Sequence, residues 1–562
     1  MRATFSGLEI GRTGLVVAQK GLDITGHNIA NVNTEGYTRQ RMIQTAIDPY
    51  NPIRKFRPVE NGIVGQGTKV MILDQIRSEF LDSQYRANNA VLGYWDTRMM
   101  GLSYIEPLLE GTDDITLQRS LTEFFAALKV GETEASDEEQ RKLIQQSALA
   151  LINNFNLTYT RLQEQMYDQN LAVEMKVDEI NTYAEQLAEL NKVIFSYEII
   201  NPNVEKALDL RDKRNVILDK LSQIADIKYH EDADGYFSVW IVGSDGVQDN
   251  ENLLVSHVNV NHMSVAKREN VLPGEPDVWV PVWATYDEYP EYFNDSYDPP
   301  RFVGAFDADG TYIGPPAVAA DDDVPGAVIL ANGSLQAHID LRDGVSPDTM
   351  GIPYFMERLN NFVRALAQEF NNQHAEGWTH IRNADHDSTP GGEFFTFRED
   401  ANGNIMYNCA GFSLSDEIKD DIYKIAFSNL PVVDDEADYI PGVNVFGGNQ
   451  ENMRSLYQLL DKTEIYLDDP GVAIGTLHGF LTTGIFDLAA SLHHAKQLAE
   501  NQNTQTGAVD NMRQSISGVS LDDEMVNMIK YQHAYEGASR IITTMDEALD
   551  ILINRMGLVG RS

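Results

Sequence analysis

Apolar side chains recur every seven residues in three parts of this chain, and each recurrence predicts a helix with one packed seam. Between Glu132 and Asn201 there is neither glycine nor proline, and Ile152, Tyr159, Met166, Val173, Ile180, Leu187 and Ile194 stand seven apart. Ser136 and Glu139 form an S-x-x-E capping box ahead of that run, and Pro202 closes it. A second helix is expected from Pro353 to Gly377, where Phe355, Leu359, Phe362, Leu366 and Phe370 fall at helical spacing.

The chain ends carry the other two repeats. Near the start, Leu8, Leu15, Leu22 and Ile29 stand seven apart, with small Gly11, Ala18 and Thr25 between them. Near the end, Met528, Tyr531, Tyr535, Ala538, Ile542, Met545, Leu549, Leu552 and Met556 follow strict 3-4 spacing. Ser520 is a good N-cap, and Asp522, Asp523 and Glu524 complement the positive end of the helix dipole. The C-terminal seam is roughly 43 Å long at the rise of an α-helix. Small residues on one seam and large ones on the other suit close pairing of the two ends as a coiled coil.

Between the ends the pattern changes. Residues 231–330 hold clustered Pro, Gly, Trp and Tyr, as in WVPVWATYDEYPEYF, and have no 3.6-residue period. They read as an inserted, β-rich outer domain. The fold expected is a multidomain α+β protein: paired terminal helices, a long-helix bundle and inserted β-rich outer domains. By number, residues 1–60 with 510–562 form the terminal coiled coil. Residues 61–230, 331–384 and 451–509 form a discontinuous helical bundle, 231–330 the acidic insert, and 385–450 a second β-rich insertion.

Charge sharpens this division. The 562 residues carry a formal net charge of −42, which disfavours nucleic acid and anionic membrane as partners. The excess is uneven. Residues 1–60 have eight basic and five acidic side chains, whereas 231–325 have three basic and nineteen acidic. One cysteine, Cys409, excludes an internal disulfide. No apolar run is long enough to span a membrane, and the N-terminus lacks the apolar block and cleavage site of a secretory signal.

The search for chemistry is nearly empty. There is no phosphate loop, Gly65-Gln66-Gly67 lacks the third glycine of a dinucleotide fingerprint, and no G-x-S-x-G elbow occurs. His230-Glu231 is followed by Asp234 where a zinc protease needs its second histidine. Adjacent His493 and His494 point about 100° apart on a helix and cannot share a metal. Three calcium-like sequences, at 232–236, 307–311 and 400–404, lack the acids required at loop positions 1 and 12 and read as hairpin turns. The aromatics Trp279, Trp283, Tyr286, Tyr289, Tyr292 and Tyr297 could form a sugar platform, but anchoring of a small domain is the better reading. No catalytic group, cofactor or metal site is expected.

The stretch LDITGHNIANVNTEGYTRQ (22–40) closely resembles the N-terminal signature of bacterial flagellar axial proteins, a family of rod, hook and hook-associated proteins. Four further stretches are similar to its first hook-associated branch. They are NGIVGQGTKVMILDQIRSEFLDSQYR (61–86), LDLRDKRNVILDKLSQIADIKY (208–229) with Arg211, Asp212 and Arg214 in place, NGSLQAHIDLRDGVSP (332–347), and the C-terminal helix 517–556. The resemblance implies a structural protein of the hook–filament junction, exported by the flagellar type III apparatus without a cleaved signal.

It further implies a ring of subunits between the hook protein and the second hook–filament junction protein, with an export chaperone on the C-terminal helix beforehand. The expected interfaces are Leu8, Leu15, Leu22 and Ile29 on one seam. On the other they are Met528, Tyr531, Tyr535, Ile542, Met545, Leu549, Leu552 and Met556, which the chaperone would also cover. The family motif falls on Asn28, Asn31, Thr34, Gly36 and Tyr37. Two alternatives stay open: an axial protein of the hook or rod type, which the long 136–200 helix disfavours, and a junction protein whose outer lobe is also an adhesin.

Overall fold

A computed structural model describes residues 6–47, 65–110, 116–132, 138–199, 206–232, 235–243, 252–268, 278–283, 330–380, 388–399, 403–433, 449–463 and 473–551, with short pieces between them and residue 553. The helices are α1 (Ser6–Ala30), α2 (Glu79–Glu110), α3 (Leu117–Gly131), α4 (Glu138–Glu198), α5 (Leu208–Ile224), α6 (Ser334–Asp343), α7 (Ile352–Ala375), α8 (Asp416–Asp420), α9 (Glu451–Gln458), α10 (Leu477–Ser517) and α11 (Leu521–Asp550).

The 61 residues of α4 make it the spine, roughly 90 Å long. All seven heptad positions from Ile152 to Ile194 are buried. Ser136 of the expected capping box lies outside the described residues. Two hydrophobic cores share this helix. The first gathers Ile144 to Met166 of α4 with α3, α7 and the first half of α10. Phe155 stacks on Phe362 of α7 at a centroid distance of 5.2 Å. The second gathers Val173 to Ala188 of α4 with the end of α5 and an antiparallel sheet.

That sheet is β3 (Ile227–Glu231), β4 (Phe237–Ile241), β5 (Leu253–Ser256) and β6 (Asn259–Val260) in sequence order, preceded in the chain by a separate hairpin, β1 (Gln40–Ala46) with β2 (Thr68–Gln75). The turn joining β3 to β4 contains Gly235 at φ +85°, so the calcium-like sequence at 232–236 closes a hairpin. Of the sequence at 400–404, residues 400–402 lie outside the described residues; Gly403 has φ +84°, and Glu399 and Ile405 on either side form an antiparallel bridge. The sequence at 307–311 lies outside the described residues.

Residues 385–450 differ from the expected separate lobe. Phe394, Phe395, Phe412, Leu414, Ile418 and Phe427 enter the first core alongside α3, α4 and α7. Among the described residues the strands there form short two-stranded ladders, such as Phe395–Phe397 with Phe412–Leu414. Clustered aromatics without a period carry no information about what they pack on, and here they cap the helical body. Cys409 is wholly buried in that core.

The expected boundary at residue 510 also moves. The helix α10 runs unbroken to Ser517, and its Arg513 binds Asp219 of α5 at 2.6 Å. The terminal unit therefore begins after Ser517.

Candidate assembly interface

The ends pair as antiparallel helices. An added Cβ at Gly7 would strike Met545, at Gly11 Ile542, and at Gly21 the ring of Tyr531 at 2.6 Å. Thus α1 and α11 run in opposite directions with their backbones close.

The face of α1 turned to α11 is Gly7, Gly11, Gly14, Ala18, Gly21, Thr25 and Asn28, a 4-3 repeat of small residues. The expected row Leu8, Leu15, Leu22 and Ile29 stands beside it and is only half-buried. The correction concerns the large residues alone. Gly11, Ala18 and Thr25, expected on the seam as the residues that allow close pairing, do lie on this face, whereas the larger side chains of the same seven-residue repeat fall in the row beside it. The opposite flank of α1 packs on the β1–β2 hairpin, where Gly67, at φ +109°, sits against Thr13 and Ile10.

On α11 the expected seam fares differently. Met528, Tyr531, Ile542, Met545 and Leu549 are half-buried, and Tyr535 is 37% exposed. Leu552 and Met556 lie outside the described residues. Only Ala538 and Glu524 of α11 are buried. Large apolar side chains remain open on both helices: Val16 is 50% exposed, Val526 65% and Ile529 55%.

The motif after α1 clasps this pair to the body. Asn31 donates from Nδ2 to the carbonyl of His27, capping the helix end, and Thr34 Oγ1 donates to Asn31 Oδ1. Gly36 has φ +73°, and a Cβ there would lie 2.1 Å from Val216 of α5. Tyr37 donates from its hydroxyl to Asn28 Oδ1 at 2.7 Å, and burial pushes that phenol well above its ordinary range. Arg39 closes the clasp with a forked pair on Glu524 at 2.7 and 2.8 Å.

Beneath the clasp, Thr38 donates its backbone N–H to Asp212 Oδ2 at 3.0 Å. Burial pushes this carboxyl up to about 6 despite Arg77 nearby. Arg211, Asp212 and Arg214 divide by face. Asp212 meets the motif, while Arg211 binds Glu198 and Glu231, and Arg214 binds Glu231. The Arg214 guanidinium also lies 3.9 Å from the centroid of the Phe237 ring. One short helix thereby ties the ends to α4 and to the β3–β4 sheet.

Sequence reading missed the clasp role of Glu524, which it assigned to the helix dipole, and it missed Arg39 and the glycines at 7, 14 and 21. The second small-residue row was the available signal for the glycines. Among the described residues no cluster of three potential metal ligands occurs, and no described helix is long and apolar enough to cross a membrane. Trp279 and Trp283 pack against the second core. Tyr286, Tyr289, Tyr292 and Tyr297 lie outside the described residues.

Comparison with known proteins places this architecture. Residues 102–278 match the family model for the flagellar hook-associated protein FlgK helical domain. Residues 8–38 match the flagella basal body rod protein model, and 512–556 the flagellar basal body rod FlgEFG protein C-terminal model. The flagellar hook-associated protein 1 of Bacillus subtilis (strain 168) is 30% identical over 567 aligned positions, covering 100% of both chains. The chain belongs to the flagellar hook-associated protein 1 family.

The Escherichia coli (strain K12) member is 23% identical, covering 96% of this chain and 98% of its own. A solved structure, that of the flagellar hook junction protein FlgK from Burkholderia pseudomallei, has the same fold. Its TM-score is 0.52 at 14% identity, covering 77% of this chain and 100% of that one. As a member of this family the protein is a structural part of the bacterial flagellum at the hook–filament junction. The family is one of structural, non-enzymatic proteins of the flagellar axis. The model matches at 8–38 and 512–556 fall on α1 and α11, so the part shared with rod proteins is the terminal pair.

Proposed function

We propose that the paired ends are the element through which copies of this chain polymerise into a ring. The observation that carries this is the apolar surface the pair leaves uncovered. Two helices bury one small-residue row and keep Leu8, Leu15, Leu22 and Ile29 half-open, with Val16, Val526 and Ile529 exposed. Clustered exposed apolar surface on a soluble protein marks a site that a partner covers. A ring supplies that cover from its neighbours, because each copy offers the same two rows.

In this reading the ring sits between the hook protein and the second hook–filament junction protein. An export chaperone covers α11 before assembly, and the chain leaves the cell through the flagellar type III apparatus. The unit formed by 1–60 and the chain after Ser517 forms the inner wall. The acidic 231–330 insert faces outward, where its charge keeps subunits apart until they dock.

The test replaces the chromosomal copy with Leu15→Asp/Leu22→Asp or Val526→Asp/Ile529→Asp. Hooks should form, filaments should be absent, and flagellin should accumulate in the medium, with the variant itself produced at normal levels. Normal swimming by both variants would overturn the reading.

A further inference from the structure

A groove of about 750 Å³ opens where the motif loop meets α4 and α5. Its rim is acidic, with Glu35 from the loop, Glu189 from α4 and Asp209 from α5, and buried Asp212 lies deeper in its lining. Asp209 is engaged by Gln40 and His27, and Asp212 by Thr38. Among the described residues Glu35 and Glu189 make no ion pair, and both are exposed. The floor is apolar, formed by half-buried Leu190, Val193 and Val216. Lys213 is the one lysine on the rim. The groove suits a short segment that carries cations around an apolar side chain.

This chain, at net −42, contains such a segment. Ile53-Arg54-Lys55-Phe56-Arg57-Pro58 places three cations within four residues around Phe56. In the other window of that density, Arg211 to Arg214, both arginines are held within the fold by Glu198 and Glu231. Residues 48–64 lie outside the described residues, and only their sequence enters here.

We infer that the basic segment 53–58 of one copy docks in the acidic groove of a second copy. Geometry favours a neighbour over the same chain. The hairpin ends at Ile47, bonded to Gly67, which lies against Thr13 of α1. The groove begins near Asn28, roughly 22 Å further along that helix. Seven residues from Ile47 to Arg54 reach at most about 25 Å, so return to the same chain's groove demands a nearly straight limb. A neighbour alongside removes that demand. The inference rests on the ring reading above, which supplies the second copy.

The test is disulfide trapping in assembled flagella. Cys409 is wholly buried, and burial pushes its thiol up, so it does not compete with introduced cysteines. Flagella carrying Lys55→Cys with Glu189→Cys should give covalent dimers and longer ladders of this chain on mild oxidation, and each single variant should not. Monomer alone, a disulfide within one chain, or a link to a different protein would overturn the inference.

A charge exchange covers the case in which the cysteine pair does not assemble. Arg54→Glu/Lys55→Glu/Arg57→Glu should lose filaments, and adding Glu35→Lys/Glu189→Lys should restore at least half of them. Absence of rescue overturns the docking. If the aspartate variants of the ring test still swim, the ring reading itself has failed. If they fail to build filaments and no ladder forms, only the docking has failed.

Discussion

Asn28 and Glu524, 496 positions apart, share a hydrogen bond of 3.0 Å from Asn28 Nδ2 to Glu524 Oε2. The second Nδ2 hydrogen goes to the carbonyl of Gln40, and Oδ1 accepts from Tyr37 and from the Gln40 backbone N–H. The amide thus uses its full capacity of two donors and two acceptors. Glu524 is 2% exposed and is neutralised by Arg39. Buried charge of this kind is tolerated only when every bond is made.

Asn28→Asp should therefore weaken the terminal pair more than Asn28→Ala. The aspartate removes both donors and sets a second carboxylate beside Glu524, at a cost on the order of 3 kcal/mol against about 1–3 kcal/mol for alanine. Hydrogen exchange of 6–30 and 521–550 reads the difference, and equal protection in the two variants would contradict the account.

Two glycines of α1 should respond in opposite directions. Gly21→Ala drives a methyl group into the Tyr531 ring and should lower the stability of the pair by about 1–3 kcal/mol. Gly26→Ala meets nothing within 4 Å and should raise it by about 0.5–1 kcal/mol through helix propensity. Thermal melts of the two full-length variants decide the matter.

The joint has a distinct pH response at Asp212. Its folded value of about 6 lies above the ordinary carboxylate range because the charged form is desolvated. The folded state then holds the proton more tightly, so this stability is complete below about pH 4 and is lost as pH rises through 6. The swing is on the order of 2–3 kcal/mol. Denaturation midpoints of Asp212→Asn, compared with the parent at pH 4.5 and 7, should show the parent's loss reduced in the variant.

The first core should respond in the reverse sense. His374 is wholly buried, donates from Nδ1 to the Gly392 carbonyl at 2.7 Å, and accepts at Nε2 from the Ala426 N–H. Burial pushes it down to about 4, so the neutral ring's stability is full above pH 6.5 and fades as pH falls toward 4. Exchange of 352–375 amides should accelerate across that window, and a His374→Gln variant should lose much of the dependence.

Glu231 balances two guanidinium groups at once. Glu231→Ala leaves buried Arg214 without its carboxylate and should cost about 2–4 kcal/mol. A urea midpoint unchanged from the parent would remove Glu231 from the account of how α5 is tied to the sheet.

Much of the body was legible because its order is local. The seven buried heptad positions of α4 and the aromatic face of α7 follow from spacing alone, since a helix fixes which residues share a side. The 385–450 stretch was not legible, because aromatics such as Phe394 and Phe412 find their place only against α3, α4 and α7. The motif from Asn28 to Tyr37 could be recognised as a signature. Its partners Glu524 and Asp212 could not be named, because nothing local records a contact across hundreds of positions.

The sequence by itself determined that the ends are helices with regular apolar rows, because a seven-residue repeat has few other physical solutions. Only the tertiary structure decided that the leucines stand aside and that the small row, extended by Gly7, Gly14 and Gly21, alone meets α11. Close approach of two backbones is a property of both helices together, and it leaves the larger apolar side chains to the outside.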